Sequence, residues 1–451
     1  MTVMNYQLKI ENQAQNNIAV AWLKLGVGAL LFAGIFTILL VFARTPAVQE
    51  IIPLTDFFHV ALVVHVDLSV LIWFISFAGV LWSLSSKTET NNLDRIAIGL
   101  AILGTVILIV APFFGIAAPL MNNYIPLLDH PIYIAGLITF AIGMLLQILR
   151  TIAAGLPNLI KPDGSDALRV GIYVSAWVAL FALLALVASY LSIPKVLEGT
   201  SFYEILFWGG GHILQFTHTI LLLVAWIWLA SATGVTLRIT PKALTWLLIL
   251  VAVPVLATPF IYLQYDIISL DHRTVFTDLM KYGGLASIPL GLYIAVSILR
   301  SGRRPDNKPL NAALYSSIIL FAMGGIIGFM IEGSNVIIPA HYHGSIVGVT
   351  LAFMGLSYHL LPLLGFTKPT SRMAQWQPYV YGGGQLMHVL GLAYSGGHGV
   401  QRKVSGSAQG LDNISEILGM AVMGVGGAIA IVGGLLFVIV MIKAFMKKEI
   451  A

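Results

Sequence analysis

The sequence predicts an all-α integral membrane protein of twelve transmembrane helices with both termini in the cytoplasm. Three observations predict it: the composition, a series of apolar runs of membrane-spanning length, and an uneven split of basic residues between the two ends of those runs. Hydrophobic residues make up 58% of the 451 residues and charged ones only 10%, with a mean hydropathy of +0.91. Such a chain has too little polar surface to cover a water-soluble domain.

Each apolar run is long enough to cross a hydrocarbon core, which takes about 20 helical residues. The first, 20–43, follows a polar segment, 1–19, and leads from Lys9 and Lys24 to Arg44. It is itself of spanning length, so it reads as a helix of the protein rather than as a cleavable signal. Run 59–82 returns to Lys87 and Arg95, and runs 95–117 and 131–154 lead out and back to Arg150, Lys161 and Arg169. Run 170–192 ends near Lys195, and 204–231 returns to Arg238 and Lys242. Runs 243–264 and 281–300 enclose Arg273 and Lys281 and come back to Arg300, Arg303, Arg304 and Lys308. Runs 311–331 and 339–364 return to Lys368 and Arg372. The last two, 375–396 and 417–444, enclose Arg402 and Lys403 and end at Lys443, Lys447 and Lys448. Of 24 basic residues, 18 fall on the side of the N-terminus and 6 on the other, and the positive-inside rule makes the richer side cytoplasmic. No soluble domain, low-complexity tract or short repeat interrupts the series, so 1–451 reads as a single transmembrane domain.

The net charge of +5 sits in short loops where topology explains it, so no nucleic-acid partner follows and the surrounding partner is membrane lipid. There is no cysteine. Disulfides, iron–sulfur clusters and thioether-linked haem are excluded, zinc would have only nitrogen and oxygen ligands, and histidine and methionine remain as the softer donors.

The most informative motif is Ala340-His341-Tyr342-His343, near the start of the tenth run. Two helical residues two apart point about 200° away from each other. One metal gripped by one helix prefers the i, i+4 spacing of a single face, so this pair reads either as ligands of two groups flanking the helix or as bonded core residues of a polar cavity. In the predicted topology His65, His212, His341 and His343 all lie within about two turns of the outer ends of their helices. Ionisable groups are costly in hydrocarbon, and several at one depth mark a functional site.

Leu314-Tyr315-Ser316 through Met330, with its Met323-Gly324-Gly325-Ile326-Ile327-Gly328 core, followed by the His341/His343 element, resembles helices nine and ten of the main subunit of haem–copper oxidases and nitric oxide reductases. The resemblance implies twelve helices and two haems. His341 would hold a high-spin, ligand-binding haem. His343 and His65 would be the axial pair of a low-spin haem. His65 opens His65-Val66-Asp67-Leu68-Ser69-Val70, similar to the family's second helix; its rival, His59, lies about 120° around the helix and closer to the boundary. Met387-His388-Val389-Leu390-Gly391-Leu392-Ala393, then Gln401-Arg402-Lys403, resembles the family's helix eleven and its following basic pair. Arg402 and Lys403 would then bind haem propionates through charge-assisted bonds, with His388 as a structural bond rather than an axial ligand.

The family's copper facing the high-spin haem is held by one histidine of helix six and an adjacent pair on helix seven. His212 fits the first position and is the candidate copper ligand, but no His-His dipeptide occurs, and Gln264-Tyr265 stands near where the pair is expected. Phe216 occupies the place where family members carry tyrosine or glutamate. His218 is on another face from His212, and His272 falls in the outer loop after helix seven, where it can fold back as a second ligand with Gln264 or Tyr265 as a third. The more economical expectation is a haem protein without the standard copper, with His212 as the distal residue above the high-spin iron. The inner halves of the runs hold no deep acid or lysine, which argues against proton pumping.

The resemblance therefore implies an oxidoreductase subunit of a bacterial or archaeal inner membrane. It would receive electrons from a cytochrome c-type or cupredoxin-type subunit on the outer face and pass them from the low-spin haem to one that binds O2 or NO. The alternative is a non-catalytic haem subunit, for electron transfer or gas sensing, in a larger complex without the copper centre. A twelve-helix transporter fits the helix number, but predicts helices broken at mid-membrane.

Overall fold

Long apolar helices dominate the computed structural model, which describes residues 4–10, 13–44, 57–115, 118–302, 307–402, 411 and 413–447. In chain order the helical segments are α1 Gln13–Arg44, α2 Phe57–Ser85, α3 Asn92–Val110, α4 Pro131–Ala153, α5 Gly164–Ser192, α6 Gly199–Ala232, α7 Pro241–Gln264 and α8 Leu270–Arg300. They continue with α9 Lys308–Phe329, α10 Ile337–Leu363, α11 Arg372–Gly397 and α12 Ile414–Phe445. Between α3 and α4 a small antiparallel ribbon pairs β1 Ala118–Leu120 with β2 Leu127–Asp129.

Among the described residues, eleven of these helices are long and apolar enough to cross a membrane; α11 is not among them. The eleventh predicted run, 375–396, does fall on α11, but Gln375, Gln377, Gln385 and His388 dilute its apolar character. Within the chain α11 is packed against α9, α10 and α12. Gln377 is fully buried and accepts a hydrogen bond from the Tyr358 hydroxyl at 3.1 Å.

The eighth predicted run begins at 281, whereas α8 begins at Leu270. Asp271, Arg273, Asp278 and Lys281 lower the apolar signal over this stretch, yet Ser269 caps the helix by accepting a bond from the His272 N–H at 3.1 Å. His272 is therefore a first-turn helix residue rather than a loop residue, and it is 1% exposed.

The chain folds into two compact units, Met1–Ser231 with Val235–Ser301, and Ala232–Gly234 with Gly302–Ala451. In the first, α2 lies along α1: the Trp22 ring occupies the space a side chain at Gly79 would fill, and its indole N–H donates to Gln147 of α4 at 3.1 Å. The indole of Trp82 donates to Ser175 of α5 at 3.0 Å. Residues 4–10 of the polar N-terminal segment are tied down. Tyr6 is fully buried, its N–H donates to Ser231 at 2.8 Å, and Lys9 pairs with Asp163 at 2.7 Å. Arg150 holds Asp94 through two bonds of 3.1 Å.

In the second unit α9 and α10 cross so closely that a Cβ on Gly344 would lie 2.6 Å from the Cα of Gly324. Only glycine permits this approach, the small-residue packing of helices in lipid. The segment after α11 returns to the start of α10, where the Val336 N–H donates to the Val400 carbonyl at 3.0 Å.

Candidate functional site

His341 lies on α10 just below that glycine crossing. Its Nδ1 is 2.7 Å from the Gly324 carbonyl of α9, and a Cβ on Gly328 would come within 2.6 Å of the same nitrogen. The crossing brings the carbonyl within reach, and the bare Gly328 leaves room for the ring. A carbonyl accepts, so Nδ1 carries the proton and Nε2 presents its lone pair. Metal-ligating histidines are tethered in this way, the remote ring nitrogen donating to a carbonyl that fixes tautomer and ring direction.

His343, two residues on, meets a different neighbour. Its ring stands edge-on to His388 of α11, centroids 4.7 Å apart at 69°, and the Nδ1 of His388 is 3.0 Å from the Met423 carbonyl of α12. The two histidines of the motif thus diverge to separate partners, as their spacing predicts. Arg402 follows the strand-like bridge between Asn335 and Gln401, which carries it to the His341 end of α10. Lys403 lies outside the described residues.

In the first unit His65 shows the same tether. Its Nδ1 is 3.0 Å from the Ala33 carbonyl and 2.8 Å from the Thr37 hydroxyl, which itself donates to Ala33 at 2.9 Å. A π-helical turn, Asp67–Ile72, starts two residues later; such turns re-aim side chains and recur at functional positions. Asp67, 1% exposed, accepts a 2.6 Å bond from the Tyr133 hydroxyl. His59, the sequence rival, is exposed.

His212 is built into a tighter group. It is 2% exposed, and its Nδ1 lies 2.7 Å from the Trp208 carbonyl and 2.8 Å from the Tyr124 hydroxyl. The glycine run before it admits a different neighbour at each position. Gly209 faces the Tyr262 hydroxyl and Phe276, Gly210 the Ala182 carbonyl of α5, and Gly211 the Tyr124 ring. Tyr124 sits in the turn between β1 and β2. Asn122 fixes that turn by accepting from the Tyr124 and Ile125 N–H groups at 3.0 and 2.9 Å, and Glu204 of α6 accepts from the Asn123 N–H at 2.9 Å. Burial, and then the Glu204 carboxylate, hold the Tyr124 phenol well above its usual range, against the opposite pull of the Gln215 bond. It is a neutral O–H group at physiological pH.

His272 closes the group from α8. Its ring stands edge-on to Tyr262 at 5.1 Å and to Phe276 at 5.0 Å, and Phe276 in turn lies 6.2 Å from the His212 ring. Gln264 is exposed at the end of α7, so the α7 residue that meets His272 is Tyr262. His218 packs on Phe74 at 4.9 Å, apart from this group, and Phe216 is buried. Among the described residues no group of three or more His, Asp or Glu converges on one point.

Sequence reasoning located His65, His212, His341 and His343 and named Gly328 and Asp67 only as motif residues, without the room Gly328 leaves for His341 or the pairing of Asp67 with Tyr133; it missed Tyr124 and Tyr262. Tyr124 lies in a short ribbon without any apolar periodicity, so nothing local marks it.

Comparison with known proteins places the chain as a whole. The family model described as cytochrome c and quinol oxidase polypeptide I matches residues 17–440. An uncharacterised protein of Rickettsia prowazekii (strain Madrid E) is 31% identical over 498 aligned positions, covering 95% of this chain and 96% of that protein. An uncharacterised protein of Aquifex aeolicus (strain VF5) is 27% identical, covering 79% of this chain and 88% of that one. A heme–copper terminal oxidase dimer solved by cryo-EM shares the fold with a TM-score of 0.67 at 16% identity, over 97% of this chain and 84% of that chain. The chain is an integral membrane protein that belongs to the cytochrome c and quinol oxidase polypeptide I family, the main subunits of the haem–copper oxidases.

Proposed function

We propose that the chain is a haem-carrying membrane oxidoreductase subunit that passes electrons from a low-spin to a high-spin haem able to bind O2 or NO. The observation that carries this reading is the tether of His341: Nδ1 on the Gly324 carbonyl at 2.7 Å, with Gly328 leaving space for the ring. His65 bears the same signature on Ala33 and Thr37, so both residues fit an iron-ligating imidazole with Nε2 as donor. When bound, haem supplies one-electron transfer and, at an open axial position, diatomic-gas binding.

The chain's own residues do the rest. His341 fixes the ligand-binding haem. The resemblance assigns His65 and His343 to the low-spin haem, and Arg402 and Lys403 to propionates. His212 serves as the distal residue, its proton held on Nδ1 by Trp208. The excess of basic residues on the N-terminal side supports cytoplasmic termini. With that orientation the electron donor, a cytochrome c-type or cupredoxin-type subunit, docks on the outer face of a bacterial or archaeal inner membrane.

A second reading, a non-catalytic electron-transfer or gas-sensing subunit, is favoured by one observation. Phe216 stands where a phenol or carboxylate serves reduction chemistry, and no adjacent histidine pair exists. The test is a reduced-minus-oxidised spectrum with and without CO. The proposal expects two haems, CO binding to one, its loss in His341→Ala and loss of the low-spin bands in His65→Ala. A spectrum without haem overturns both readings; turnover of O2 or NO by the purified complex separates them.

A further inference from the structure

α2 consists of two α-helical pieces joined out of register. Phe57–Val66 and Trp73–Ser85 are regular, and between them Asp67–Ile72 forms the π-turn, in which the Trp73 N–H reaches back five residues to the Leu68 carbonyl. Such a turn holds one residue more than an α-turn. Each residue is worth 100° of rotation, so the piece that carries His65 is turned by about 100° from where an unbroken helix would put it. Both pieces are anchored to α1. After the turn, Gly26 of α1 admits the Trp73 ring and Ser76, and Gly79 admits the Trp22 ring. Before the turn, the His65 Nδ1 meets Ala33 and Thr37. With the second anchor fixed by large buried rings, loss of the extra residue would swing the imidazole off the first.

A side chain from α4 reaches the start of the wide turn. Its first residue, Asp67, is 1% exposed, and Tyr133, 0% exposed, donates its hydroxyl to that carboxyl group at 2.6 Å. Among the described residues Asp67 has no basic partner. A carboxyl group in such a place costs stability that an apolar residue would not, and the best-attested use of a buried polar group is to fix one register against its neighbours. A plain α-turn over 67–72 would carry Asp67 about 100° around the axis and away from the Tyr133 hydroxyl.

We propose that the Tyr133–Asp67 bond locks the register of the π-turn and that Asp67 is thereby a positioning residue for His65. The inference rests on the reading of His65 as an axial ligand of the low-spin haem. It gives the bond one task, to set the direction and plane of that imidazole from the side of α4 while Ala33 and Thr37 hold it from α1.

Two readouts test the lock, one of them without haem. The chain has no native cysteine, so Thr37→Cys with His65→Cys introduces a single pair of thiols. A short bis-thiosulfonate is expected to bridge them in the full-length purified protein, as located by peptide mass spectrometry. Adding Asp67→Leu or Tyr133→Phe is expected to lose the bridge, whereas Asp67→Asn, whose amide oxygen still accepts from Tyr133, is expected to keep it. The second readout uses protein with His65 intact. The largest g value of the oxidised low-spin haem follows the angle between its two imidazole planes. It is expected to shift alike in Asp67→Leu, Tyr133→Phe and the double variant, and to stay at the wild-type value in Asp67→Asn, with the CO difference spectrum unchanged throughout. Tyr133→Phe removes one oxygen and keeps the ring, so it tests the bond even where Asp67→Leu does not accumulate. Wild-type bridging and g value in Tyr133→Phe overturn the proposal, and so does an Asp67→Asn protein that behaves like Asp67→Leu. Loss of bridging in variants of a protein that holds no haem supports the register lock and counts against the haem reading alone.

Discussion

The Tyr124 hydroxyl lies 2.8 Å from the Nδ1 of His212, so a residue from a two-stranded ribbon reaches a histidine in the middle of a long helix. Because Nδ1 is also 2.7 Å from the Trp208 carbonyl, which can only accept, the proton on that nitrogen is shared toward both oxygens.

Tyr124→Phe is expected to remove about 1 kcal/mol of stability, the usual net value of a hydrogen bond, read as a lower midpoint of thermal unfolding in detergent. The sign of its pH dependence follows from the raised phenol: the folded state holds this proton more tightly than the unfolded chain. The stabilisation is complete below the ordinary value of 10.0 and is lost as pH rises above it. Wild type should lose stability more steeply than Tyr124→Phe above pH 10.0. Equal slopes would show that the phenol is not held as described.

Gly328→Ala places a methyl group 2.6 Å from Nδ1 and 2.8 Å from Cε1 of His341. The ring must move off the Gly324 carbonyl. Overpacking of this kind costs about 1–3 kcal/mol. Loss of the CO-binding haem with retention of the low-spin bands is the expected spectrum; an unchanged CO difference spectrum would show that the tether is dispensable.

Asp163 caps α5 and accepts from Lys9 at 2.7 Å. That bond, with the backbone N–H of Asp166 next, holds its carboxyl below the usual value of 3.8. A lowered carboxyl stabilises above the unfolded value and stops doing so as pH falls through the folded one, so the contribution is present at neutral pH and disappears below pH 3.8. Asp163→Ala is expected to cost about 1 kcal/mol through the lost cap. Lys9→Ala, removing an exposed partner, should cost less. Protease nicking of the N-terminal segment at neutral pH would follow both variants.

The helices were legible because each carries its own apolar run, which a bilayer demands of every span. His341 and His343 were legible because divergence at two residues is a property of the helix alone. What escaped was non-local. The start of α8 was hidden by Asp271 and Arg273, whose charges mask a helix that Ser269 caps. Tyr124 reaches His212 only after Asn122, Glu204 and Gly211 have positioned it, a juxtaposition 88 residues apart in sequence. His272 looked like a loop residue because hydropathy cannot see the Trp208 clasp on Arg273.

The polar make-up of α11 bears on how the protein is assembled in the cell. A segment with Gln375, Gln377, Gln385 and His388 partitions poorly from the translocon into lipid by itself. α12, the most apolar of the spanning helices, interlocks with it: Gly384 and Gly391 lie against the backbone of Ala430 and Met423. The two are therefore expected to insert as a pair. A chain truncated after residue 400 should leave α11 outside the bilayer, accessible to glycosylation or cysteine labelling, whereas the full chain should protect it. The last helix then acts as a biogenesis factor for the one before it, and a ribosome stalled too early would release a chain whose His343 has no His388 beside it.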